Sequence, residues 1–244
     1  LEDIVAEARR IANAARERES LVRVLGGAAV RIHCPSMPPS LQRSYGDIDL
    51  ATPARTSSQT DSLMQDLGYV GDREFNATQT HRMVFADPVR QRRIDVFVGE
   101  FRLCHVIPIT ERLALDPLTI PLAELLLTKL QVLKANLKDL QDMWALLLEH
   151  PVGEGDDETI NGPFIARLLA SDWGLWRTAT GTIATLRARL ASDSGLDAEQ
   201  QRVIAERLDD LSADIDAAPK SLRWRTRAKV GERVRWYEEP EEID

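Results

Sequence analysis

The sequence predicts an α/β (α+β) fold: a mixed sheet with flanking helices, followed by a C-terminal helical domain. Three observations predict it. An apolar run at 21–25 (LVRVL) passes straight into Gly26-Gly27, as a short buried strand does before a turn. Two later segments, DIDLA at 47–51 and RIDVFV at 93–98, alternate or concentrate apolar residues over strand-like lengths. From Pro121 onward apolar residues recur at helical spacing.

The elements follow in order. Residues 3–18 predict a helix, because Ile4, Val5, Ala8, Ile11, Ala12 and Ala15 share one helical face. Ala28 to Ile32 opens a second helix directly after the glycines. The Pro/Ser-rich stretch 34–46 predicts a loop. Residues 57–67 suit a helix stopped by Gly68. Strands are expected at 81–86 and 93–98, joined by a turn near Asp87-Pro88, with another at 102–107. Residues 121–150 predict one or two amphipathic helices, with Pro121 near the first turn. The polar stretch 151–159 predicts a linker. It divides a catalytic domain, 1–150, from a helical domain, 151–244. Within 160–217 helices are expected, broken near Asp172, 192–197 and Pro219. The tail splits by charge: 220–235 carries seven Lys/Arg and one Glu, and 238–244 is mostly acidic.

Composition bounds the function. A chain of 244 residues, 43% hydrophobic and 29% charged, is ample for a packed core. Aromatics are only 5%, so aliphatic packing should dominate. A net charge of −8 argues against a blanket nucleic-acid coat and leaves local basic patches open. Cys34 and Cys104 form no CxxC pair, and His33, His81, His105 and His150 show no ligand spacing. Neither a disulfide framework nor a zinc site is expected, and the compartment expected is the cytoplasm. No apolar run approaches the roughly 20 residues of a membrane span, so no membrane partner is expected.

Three pieces carry chemistry. Glycines after a strand let backbone amides approach an anion, and a helix starting there adds the positive end of its dipole. A Gly pair alone is also simply a turn. Asp47 and Asp49 stand two apart in an extended segment, so both carboxylates face one side. They repel unless a cation lies between them. Alone, they read equally as an exposed strand edge. Asp95 sits among Ile94, Val96 and Phe97, where a carboxylate needs a partner. Strand–Gly-Gly, then DxD, then a single Asp on a later strand suits phosphoryl or nucleotidyl transfer with Mg²⁺ or Mn²⁺ held by Asp47, Asp49 and Asp95.

With LGGAAVRI, RSYGDIDLA, RRIDVFVG and LTKLQVLKANLKDLQDMWALL in hand, residues 21–148 resemble the nucleotidyltransferase superfamily. Within it the chain is most similar to the AbiEii-type toxin branch that includes the MenT-like toxins. Gly68-Tyr69 matches a Gly-aromatic element of that branch, Lys129 its first helical Lys, and Lys138, Asp139 and Asp142 its KDxxD block. The resemblance implies a nucleotidyltransferase fold with an NTP as substrate. It implies that Asp47 and Asp49 bind the metals, that Asp95 completes the site, and that Gly26 and Gly27 hold phosphates. Lys129 would reach a phosphate, and Lys138 or Asp139 would line the cleft. The chain departs from the pattern at Leu25, Ala28 and Tyr45.

Other residues keep two readings. Arg43 either clamps a phosphate bidentately or pairs with a structural acid. Lys134 and Lys138 are four apart and also fit a solvated stripe, as Asp139 and Asp142 fit a surface. Arg90, Arg92 and Arg93 form either a solvated turn or a contact to a nucleic-acid backbone. In SLRWRTRAKVGERVRW, Trp224 and Trp236 either stack on bases or pack on their own domain. Trp173 and Trp176 are expected in the helix core.

The expected activity moves an NMP, or short nucleotide additions, from an NTP to an acceptor hydroxyl. The resemblance suggests a toxin acting on tRNA 3′ ends or on a protein, with a cognate antitoxin. A small-molecule (antibiotic) adenylyltransferase and a non-catalytic nucleotide-binding regulator are the alternatives.

Overall fold

Helix α1 (Ile4–Glu17) buries Ile4, Ala8, Ile11, Ala12 and Ala15, the stripe that its 3.6-residue spacing predicts. The structure, a computed structural model, describes residues 4–239. They belong to two units. The first takes in the chain through Pro35, then Ser44–Arg102 and Val106–Pro121; the second takes in Ser36–Arg43, Leu103–His105 and the chain from Leu122.

In the first unit, β1 (Arg23–Leu25) leads into α2 (Gly26–His33), and β2 (Ile48–Thr52) into α3 (Ser57–Asp66). Then come β3 (Val70–Gly71), α4 (Arg73–Thr78), β4 (Arg82–Asp87) and β5 (Arg92–Val98). These strands form a mixed five-stranded sheet in the order β1-β2-β5-β4-β3. The β2–β5 pair is parallel, and the other pairs are antiparallel. The segment around Thr119 runs parallel beside β1, with Val24 N–H donating to Leu118 O and Ile120 N–H donating to Val24 O.

Alternation along the strands gives the sheet two different faces. Ile48, Leu50, Ile94, Val96 and Phe85 are fully buried on one face. Helix α2 packs on β1 and β2, α1 on β1 and α2, and α3 on α1 and β3. Full burial of each such side chain stabilises by about 1.5–3 kcal/mol. The other face bears Asp49, Val84, Arg93 and Asp95, in register across β2, β5 and β4.

Helix α3 ends as its sequence predicts. Gly68 takes φ +91°, and Gly68 N–H and Tyr69 N–H donate back to Gln65 O and Met64 O. The turn delivers Tyr69 to α1. Its hydroxyl donates to Glu7, and Arg10 grips the same carboxylate through Nε at 2.9 Å and Nη2 at 2.8 Å.

Residues 102–107 do not form the single expected strand. Instead β6 (Glu100–Arg102) and β7 (Val106–Pro108) pair antiparallel. Leu103 N–H donates to His105 O at 3.3 Å. A three-residue turn of Leu, Cys and His has no Gly, Pro or Asn to announce it.

The second unit is helical. It contains α5 (Leu122–Leu130), α6 (Leu137–Glu149), α7 (Gly162–Ser171), α8 (Trp173–Asp193), α9 (Ala198–Ala217) and α10 (Leu222–Val230). Each break has a polar cap: Asn136, Asn161, Asp172, Asp197 and Ser221 accept from backbone N–H groups of the helices that follow. The stretch expected as a plain linker is ordered. There β8 (Val152–Gly153) pairs parallel with β9 (Ile160–Asn161), and Asn161 Nδ2 donates to Glu154 O and Asp156 Oδ1. Among the described residues no helix is long and apolar enough to cross a membrane. The acidic end, 240–244, lies outside the described residues.

Candidate functional site

The site starts from the antiparallel pairing of β1 with β2, which sets Leu25 opposite Asp49. The chain turns at the next residue. Gly26 adopts φ +67°, a conformation that side chains other than Gly rarely take. A Cβ on Gly26 would lie 2.0 Å from Asp49 Oδ2. Both the torsion and the close approach therefore demand glycine. Helix α2 begins at this turn with no side-chain cap. Its first-turn N–H groups and dipole are arranged to receive an anion, with Gly27 in that first turn.

The parallel pairing of β2 with β5 then sets Asp49 opposite Asp95. Partners in parallel register present their side chains on one face, with strands about 4.8 Å apart. Asp49 is half-buried and Asp95 is buried. Asp47, one residue ahead of β2, is exposed.

Two arginines balance Asp95. Arg82, on β4, donates from Nε at 3.0 Å and approaches from Nη2 at 2.9 Å. Arg93, two residues earlier on β5, reaches Asp95 Oδ2 from Nε at 3.2 Å. Arg82 also lies over the Phe97 ring, 5.2 Å from its centroid. One sheet face therefore carries carboxylates and guanidinium groups side by side, next to a glycine turn. Arg82 was not among the residues that the sequence singled out. Counting back from the turn after Asp87 places it opposite Phe97, one step from Asp95 on the same face.

The remaining candidates belong to the second unit and form a network of their own. Arg43 binds Asp142 bidentately, Nε to Oδ1 at 2.8 Å and Nη2 to Oδ2 at 2.7 Å. Of its two readings, the structure gives Arg43 the acid. Lys129 Nζ lies 3.0 Å from Asp142 Oδ2 and 3.2 Å from Asp139 Oδ1. Burial opposes the Lys129 charge, but Asp142 and Asp139 outweigh it and hold the ammonium above its ordinary pKa. Asp139 also completes a capping box with Asn136 at the start of α6. Lys138 is exposed on α6.

Asp142 has 2% of its surface exposed, so it is not the surface acid that spacing suggested. It is the anchor for two cations. Arg90 pairs with Asp87 at 3.4 Å in the β4–β5 turn.

Asp49 and Asp95 offer the oxygen donors that suit a hard divalent cation, and glycine at 26 keeps the space beside Asp49 clear of a side chain. Among the described residues the carboxylates of Asp47, Asp49 and Asp95 are not all gathered within the reach of a single ion. No family model matches the chain, and no curated protein matches it. Among solved structures, the chain is similar to an antigenic nucleotidyltransferase-like protein from Paracoccidioides brasiliensis. Identity is 15%, covering 90% of this chain and 95% of that one, with a TM-score of 0.42. It is also similar to the STING-associated CdnE c-di-GMP synthase from Capnocytophaga granulosa. There identity is 12%, covering 86% of this chain and 82% of that one, with a TM-score of 0.22.

Proposed function

We propose that the chain is a metal-dependent nucleotidyltransferase that moves a nucleoside monophosphate from an NTP to an acceptor hydroxyl. The observation that carries this reading is the register of Asp49 with Asp95 beside the Gly26 turn. Two carboxylates adjacent on one sheet face, next to an uncapped helix start, suit a triphosphate with its divalent cation better than they suit water alone.

Asp47, Asp49 and Asp95 would hold Mg²⁺ or Mn²⁺, which supplies charge neutralisation at the transferring phosphate. Gly26 and Gly27 would bind phosphate oxygens through backbone N–H groups. Arg82 and Arg93, both paired with Asp95, would offer guanidinium groups to the negative charge developing on the leaving pyrophosphate. Their present partner, Asp95, keeps both aimed at this face. Lys129 and Asp139, with Arg43, would shape the second unit by holding α5, α6 and the segment before Ser44 together.

By sequence resemblance, the acceptor is RNA, with tRNA 3′ ends foremost, and the biological role is that of a toxin with a cognate antitoxin. A protein acceptor is the other outcome of the same test. The purified chain is incubated with each labelled NTP, Mg²⁺, and either total tRNA or total protein. Label should move to RNA, and Asp49→Ala should abolish the transfer. Transfer unaffected by Asp49→Ala would remove the assignment, as would no transfer with any NTP.

A further inference from the structure

The basic segment 220–235 holds seven Lys/Arg against one Glu in a chain of net charge −8. Its tryptophans and its cations part company in the structure. Trp224 meets Trp176 edge-on at 5.1 Å, and Trp236 meets Trp173 edge-on at 6.1 Å. Trp236 Nε1 donates to Thr178 Oγ1 at 3.1 Å. These rings anchor α10 and the residues after it to α8, so their faces are not offered to bases.

Three of the seven cations have local duties. Lys220 donates to Ile215 O. Arg227 stacks over Trp173 at 4.6 Å and donates to Gly231 O and Val234 O. Arg235 pairs with Glu239 at 3.0 Å. The other four, Arg223, Arg225, Lys229 and Arg233, are exposed, and among the described residues none of their side chains has a hydrogen bond or ion pair.

We infer that α10 and the turn after it form an RNA-docking surface that reads phosphates and not bases. This deepens the proposed function, since it rests on RNA being the acceptor. Arg225 and Lys229 are four apart on the helix, so their side chains emerge roughly 6 Å from each other. Arg223, two residues before Arg225, emerges on another side of the helix, and Arg233 lies in the turn beyond it, so the four form a basic cluster and not a single row. A polynucleotide backbone is a partner whose repeated charge can wrap such a cluster without needing its own fold to match. Leu222 and Val230 share the exposed side of α10 with these cations, Val234 is exposed beyond it, and Trp224 packs on Trp176. With the tryptophans occupied, binding should be insensitive to base sequence and steeply sensitive to salt.

The test is fluorescence anisotropy with a labelled mixed-sequence RNA 20-mer, at rising salt, on the full chain. For four phosphate contacts to a single strand, log affinity should fall with log salt at a slope of about −2.8. The quadruple variant R223Q/R225Q/K229Q/R233Q should lose at least tenfold in affinity at low salt and bring the slope close to zero. Its melting temperature should stay near the wild-type value, because all four side chains are exposed. Unchanged affinity or slope in the variant overturns the surface. So does tighter binding to anionic phospholipid vesicles or to a poly-Glu peptide than to RNA.

The Asp49→Ala protein separates this idea from the enzyme assignment. If no label is ever transferred but salt-dependent binding persists in wild type and Asp49→Ala and is lost in the quadruple variant, the catalytic reading fails and the surface stands. If label moves to RNA with an unchanged KM for RNA in the quadruple variant, the surface fails and the enzyme stands.

Discussion

Asp49 and Asp95 lie opposite each other in a parallel strand pair, 46 residues apart in sequence. The strand alternation that buries Ile48, Leu50, Ile94 and Val96 sends both carboxylates to the opposite face. The same packing that stabilises the sheet thus builds the charged pair.

Gly26 is the position most constrained by this arrangement. Gly26→Ala should cost about 1–3 kcal/mol, from a side chain forced into positive φ and a Cβ driven into Asp49. Urea unfolding measures the loss. Nucleotide affinity should fall with it, because the α2 start would move away from the carboxylate. A variant as stable as wild type would show that the turn can relax without Asp49.

Asp142 should be the most costly carboxylate to remove in the second unit. Asp142→Ala strands the partly buried Arg43 and Lys129 charges. Breaking a buried pair from one side costs about 3–5 kcal/mol. Lys129→Met should cost less, since Asp142 keeps Arg43. Thermal melts of both variants check the order. A Lys129→Met loss larger than that of Asp142→Ala would contradict the network.

The Glu7 carboxylate is held down to about 2, chiefly by its hydrogen bond from Arg10, then by Tyr69, against the opposing effect of burial. A depressed folded-state value stabilises above the unfolded value near 4.5. That stability is lost as pH falls from there through about 2. Solvent screening limits the contribution to about 1 kcal/mol. Glu7→Gln should therefore lower stability at pH 7 by about that amount and weaken the acid dependence between those limits. Equal acid slopes in the two proteins would count against it. Burial and the Glu7 bond also push the Tyr69 hydroxyl up, so it stays protonated.

Divalent cation binding has its own signature. Saturating Mg²⁺ at about 100 times its Kd should raise stability by about 2.7 kcal/mol. Asp49→Asn should remove most of that gain while leaving the metal-free fold intact. An equal gain in wild type and Asp49→Asn would place the cation elsewhere.

Much of this was legible because it is local. The alternation in DIDLA, the Gly68 stop, and the caps at Asp172 and Asp197 are each decided by residues a few positions apart. The rest depends on distant partners. Nothing near Asp142 marks it as buried, because its partners Arg43 and Lys129 come from other segments. Asp95 announces that it needs a partner. That the partners include Arg82 follows only once the β4–β5 register is known. Helix α4, six residues long and capped by Asp72, is too short for periodicity to reveal. The sequence division at 150 and the unit division at Leu122 differ for a similar reason: α5 and α6 find their helical neighbours beyond the polar stretch.

The most direct measurement compares one NTP labelled at the α-phosphorus with the same NTP labelled at the γ-phosphorus. If Asp49 and Asp95 serve nucleotidyl transfer, the α label should pass to the acceptor and the γ label should leave as pyrophosphate, with neither event in Asp49→Ala. Transfer of the γ label to the acceptor, or α transfer that persists in Asp49→Ala, would contradict the account.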